Sequence, residues 1–97
     1  MSAGLTRLER IRAALAAAFA PQRLVIEDES HLHAGHAGAA TGRGHFHVDI
    51  VASAFAGESP LARHRRVYAA LGELMQTDIH ALSIQARTPE ENSTAAT

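Results

Sequence analysis

Near the N terminus the hydrophobic positions fall three and four residues apart, at Leu5, Leu8, Ile11, Leu15 and Phe19. That spacing gathers them into one stripe of an α-helix. Thr6 and Glu9 fit a capping box, in which hydroxyl and carboxylate satisfy the free backbone donors at a helix start, so a helix is predicted over 6–19. Pro21 stops it. The stretch RLVIEDE, residues 23–29, predicts a strand with a charged, exposed exit. From Ser30 to Gly44 glycine, alanine and histidine replace any period, which predicts a loop.

Strict alternation then appears in HFHVDIVA, residues 45–52. Phe46, Val48 and Ile50 share one strand face, expected to meet the helices, while His45, His47, Asp49 and Val51 share the other. A turn-like link, SAFAGESP, leads to Ser59 as N-cap and Pro60 at the first helical position. The second main helix takes Leu61, Val67, Leu71, Leu74 and Met75 as its stripe, with His64 beside it. A last strand, IHALSIQAR at 79–87, places His80, Leu82, Ile84 and Ala86 on one face. The polar TPEENSTAAT that follows predicts a disordered tail over 89–97.

This order, helix, strand, strand, short helical turn, helix, strand, predicts an α+β domain over residues 1–88. The first two strands can pair as a hairpin, and the helix between the second and third favours a parallel crossover. The expected product is a three-stranded mixed sheet with its helices packed on one face. The arginine-rich start superficially suits a transit peptide, but Glu9 and its direct continuation into a strand make it the first helix of the domain.

Composition narrows the function more than the fold. Ninety-seven residues with three Phe, one Tyr and no Trp leave one modest core, so ligands are expected on an edge, a loop or a partner interface. Nine Lys plus Arg against ten Asp plus Glu leave a net charge of −1, without the basic excess of a phosphate-tracking surface. The chain has no cysteine, which excludes disulfides, thiolate metal ligands and a thiol nucleophile of its own, and a reducing cytosol is the expected compartment. The longest apolar run, Ala13 to Ala20, is far shorter than a membrane span. No serine sits in a glycine-flanked strand-to-helix turn, and the adjacent Asp28 and Glu29 point to opposite strand faces, so catalysis finds no support.

Histidine is the chemistry that remains. Five of the seven histidines lie between residues 29 and 47. His31, His33 and His36 form an H-x-H-x-x-H cluster of imidazoles suited to iron or zinc, although a glycine-rich loop preorganises them little. His45 and His47, on one strand face, could also hold a metal, but they read first as polar residues on the solvent side of a half-buried strand. His64 reads as a packed helix histidine, and His80 is open to either a core or a ligand role.

At larger scale DES, His33, HFHV, the helix segment F-A-G-E-S-P-L-A-RHR-x-VY-x-AL and HALSIQARTPEE together resemble the BolA family, over about residues 7–91. The resemblance implies an αββααβ fold similar to class II KH domains. It also implies a non-catalytic role: a [2Fe-2S] cluster shared with a monothiol glutaredoxin and glutathione, in cluster assembly, trafficking or iron regulation. Such mixed ligation is like that of Rieske centres, where histidine replaces cysteine on one iron. By register the family's C-terminal histidine ligand falls on His80 and its loop ligand on His33, with His36 and His31 as loop alternatives. Alone, the chain is expected as a monomer or weak homodimer.

A second reading, a DNA- or RNA-binding regulator, rests on the KH-like fold and on Arg63, Arg65 and Arg66 as candidate phosphate contacts. Against it, FAGESP lacks the GxxG clamp of KH domains. A third reading is a plain interaction module whose histidines capture metal incidentally.

Overall fold

The computed structural model describes residues 6–29 and 44–96. Helix α1, Arg7–Phe19, starts at Thr6 with the expected reciprocal cap. The Glu9 backbone N–H donates to Thr6 Oγ1 at 3.1 Å, and the Thr6 N–H donates to Glu9 Oε1 at 2.8 Å. The helix closes on Ala20 in the left-handed region, φ 45°. Strands β1, Arg23–Asp28, and β2, Gly44–Val51, pair antiparallel, and a 3-10 turn at Ser53–Phe55 leads to helix α2, Pro60–Leu71. Gly72, at φ 53° and ψ −124°, separates α2 from the single turn α3, Leu74–Thr77. Strand β3, Ile79–Arg87, runs parallel to β2, so the sheet order is β1-β2-β3 with β2 in the middle.

The alternation in β2 does what its pattern predicts. Phe46, Val48 and Ile50 are buried against Ile11, Leu15 and Phe19 of α1 and Val67 and Leu71 of α2. His45, His47 and Asp49 occupy the opposite, half-buried face. On that face β1, β2 and β3 form a row through Glu27, His47 and Ser83, in which His47 Nδ1 lies 3.0 Å from Ser83 Oγ. Asp49, one step along, accepts from Arg87 Nη2 at 3.0 and 3.2 Å and lies 3.8 Å from Arg23 Nε.

Three expectations are corrected. Leu61 is not part of the apolar stripe of α2: it is 59% exposed, and the buried positions are Arg63, Val67 and Leu71, one residue every turn. Arg63 can occupy a core position because its guanidinium is fully engaged. It donates to the Glu58 carbonyl at 2.9 Å, to the Ala86 carbonyl at 3.1 Å, and to both Glu91 oxygens at 2.6 and 3.0 Å. The segment expected as a disordered tail forms helix α4, Pro89–Ala96, instead. A second reciprocal cap starts it: Thr88 N–H donates to Glu91 Oε1 at 2.9 Å and Glu91 N–H donates to Thr88 Oγ1 at 3.2 Å. Finally, β3 does not alternate throughout. Gly44 pairs with Ile79 but His45 pairs with Ala81, so His80 is an extra residue in the ladder.

Candidate functional site

That extra residue decides where His80 points. Unbroken alternation would place it inward with Leu82, Ile84 and Ala86. The bulge gives the inward place to Ile79, 1% exposed, and leaves His80 on the surface. Its ring centroid lies 5.2 Å from that of His45, with the ring planes 50° apart. Two imidazoles from neighbouring strands thus meet on the sheet face opposite α1 and α2.

Beside them opens a cleft of ≈ 190 Å³ lined by Glu29, His45, Phe46, Ala81, Leu82 and Ser83. Two of its three lining residues from β3, Ala81 and Ser83, are small. Main-chain bonds fix its edges. The Glu29 N–H donates to the His45 carbonyl at 2.8 Å, and the Gly44 N–H donates to the Asp78 carbonyl at 2.9 Å. Asp78 is itself tied to α1: its carboxylate accepts from Arg10 Nε at 3.3 Å and Nη2 at 3.0 Å, and lies 3.6 Å from Arg7 Nε. The turn before His80 is therefore anchored to the opposite layer of the domain by a partly buried ion-pair cluster.

Imidazole is a borderline ligand that binds zinc, copper and iron through one ring nitrogen. A pair at this separation, at an open cleft, suits one metal ion with coordination positions left for other ligands. Among the described residues no group of three or more His, Cys, Asp or Glu is placed to hold a metal. His31, His33 and His36 lie outside the described residues. His47 is on the same face but is turned to Ser83, and half-buried His64 lies on α2, in the other layer.

The three arginines of α2 separate by role. Arg63 is buried in its bonds to Glu58, Ala86 and Glu91, which removes it as a phosphate contact. Arg66 donates to Glu58 Oε1 and to the Ala54 carbonyl, both at 2.8 Å, and its guanidinium sits 5.2 Å from the Phe19 ring centroid and 5.9 Å from that of Phe55. Arg65 is exposed. Glu91, held by Arg63 first and by the Thr88 amide next, has its carboxyl pKa lowered to about 2. The hydrogen bond to Glu91 in turn raises the pKa of Arg63.

Among known proteins, the family model described as BolA-like protein matches residues 15–91. Protein BOLA1, chloroplastic, of Arabidopsis thaliana is 47% identical over 90 residues, which cover 89% of this chain and 56% of that protein. The chain thus spans little more than half the length of that relative. The DNA-binding transcriptional regulator BolA of Escherichia coli is 42% identical over 83 residues, covering 86% of this chain and 76% of that protein. The solved BolA domain of SufE1 from Arabidopsis thaliana superposes with a TM-score of 0.79 at 42% identity, covering 90% of this chain and 96% of that one. No helix among the described residues is long and apolar enough to cross a membrane.

Proposed function

For this chain, which belongs to the BolA family, we propose a non-catalytic adaptor role in which it binds a [2Fe-2S] cluster jointly with a monothiol glutaredoxin and glutathione. One observation carries the reading: the bulge in β3 turns His80 outward at a cleft, beside a second imidazole. A chain without thiols supplies neutral nitrogen ligands, and the partner and glutathione supply thiolates to the other iron. His80 is the anchor in this reading, and the resemblance gives the second ligand to His33.

The test is visible absorption and circular dichroism of the cluster reconstituted with a monothiol glutaredoxin, glutathione and this chain. A heterocomplex spectrum distinct from that of the glutaredoxin alone, lost in His80→Ala, is the expected result. If the spectrum of the mixture equals that of glutaredoxin alone, the adaptor role fails.

The name of the Escherichia coli relative favours a second reading, DNA binding. Of the arginines considered for it, Arg63 is paired with Glu91 and Arg66 with Glu58, which leaves exposed Arg65, and a single cation contributes little to a phosphate interface.

A further inference from the structure

Resting on the adaptor reading, we infer that His45, from the central strand, is the second protein ligand, and that His45 and His80 bind the same iron side by side. Two imidazoles bound at adjacent positions of one first-row metal, with bonds of about 2.1 Å, place their ring centres about 5 Å apart. The observed separation is 5.2 Å. Aromatic packing alone is satisfied anywhere between roughly 4.5 and 7 Å, so the value is not dictated by ring contact. A metal ion shared by both nitrogens needs the short end of that range.

The surroundings agree with a ligand role. His45 lies on the polar face of β2 and lines the cleft, and exposed His80 directly precedes Ala81, which lines it too. The His45 carbonyl accepts from the Glu29 amide, and the amide of the preceding Gly44 donates to the Asp78 carbonyl. His80 follows Asp78, whose carboxylate Arg10 clamps. Both rings therefore stand on paired strands, and ligands on such elements keep their geometry better than ligands on a loop. Ligation of one iron by two histidines leaves the second iron for thiolates, which matches a partner that brings sulfur and a chain that has none.

The experiment is pulsed electron paramagnetic resonance of the reduced cluster in the full heterocomplex with a monothiol glutaredoxin and glutathione. Wild type, His45→Ala, His45→Cys, His33→Ala and His80→Ala are compared, with far-ultraviolet circular dichroism confirming the fold of each. The expected result is a pair of strongly coupled nitrogens in wild type and in His33→Ala, with one coupling lost in either His45 variant. His45→Cys is expected to retain the cluster, because a thiolate replaces the imidazole. A full pair of couplings in His45→Cys, with one lost in His33→Ala, overturns the inference and leaves the adaptor reading standing. Couplings and cluster content unchanged in every variant, His80→Ala included, overturn the adaptor reading itself.

Discussion

Arg63 is where three segments of the chain converge. It fills a core position of α2 while bonding the link before that helix, the end of β3 and the first turn of α4. Truncation to alanine takes the guanidinium donor from the Ala86 and Glu58 carbonyls and leaves Glu91 only its Thr88 amide, and buried carbonyls left unmet cost more than the bonds themselves contribute. Arg63→Ala is expected to destabilise the domain by about 3 kcal/mol, measured by denaturant unfolding. Lysine does not rescue it, since one ammonium cannot serve the planar fork of contacts. The pH dependence has a definite sign. Glu91 titrates lower in the folded chain than its ordinary 4.5, at about 2, so its contribution is complete above 4.5 and is lost as pH falls toward 2. Glu91→Gln is expected to flatten the stability profile in that window, and an unchanged acid limb would show that the ion pair does not hold α4.

At the scale of elements, glycine and left-handed residues mark where helices must end. Gly72 carries φ 53° and ψ −124° between α2 and α3. A side chain there is strained whatever the space around it, so Gly72→Ala is expected to cost about 1–3 kcal/mol in thermal or chemical unfolding. Ala20 holds the left-handed C-cap of α1 without being glycine. Ala20→Gly relieves the Cβ penalty of about 1 kcal/mol, partly offset by the freer unfolded chain, and a small rise in melting temperature is expected. The two capping boxes show why some elements were legible and one was not. Thr6 and Glu9 precede an apolar period, which announces a helix. Thr88, Pro89 and Glu91 carry the same start signal, but no apolar period follows it. Helix α4 is held instead by one ion pair to a buried arginine three elements away, and no local pattern encodes that. The stripe of α2 fails for a related reason: arginine counts as polar in a periodicity, although bonded on every side it takes a core position, while Leu61 faces outward.

For the molecule as a whole, the helices lie on one side of the sheet and the other side presents polar and charged side chains. β1, β2 and β3 were each legible in sequence, β2 by its alternation and β1 and β3 as β-branched and apolar runs bounded by turn signals. The site was legible only in part. His80 could be singled out, but its partner could not, because the ring pair depends on a parallel register and a one-residue bulge that hydrophobic period does not specify. The distribution of charge also bears on the second reading. With Arg63 buried and Arg66 bonded to Glu58, any affinity for duplex DNA is expected to be weak and to vary with salt by a slope of about 1 or 2 on logarithmic axes. A titration at several salt concentrations checks this, and a steep slope would favour the regulator.

The parallel pairing of β2 with β3 has a kinetic consequence. Antiparallel β1 and β2 are consecutive strands and can meet early, but β2 cannot pair with β3 until the crossover through α2 and α3 has closed, a contact of high sequence separation that is made slowly. During synthesis His45 therefore leaves the ribosome with a neighbouring strand already available, while His80 follows only after α2 and α3. The two rings come together only as the last strand docks, so the pair reports completion of folding.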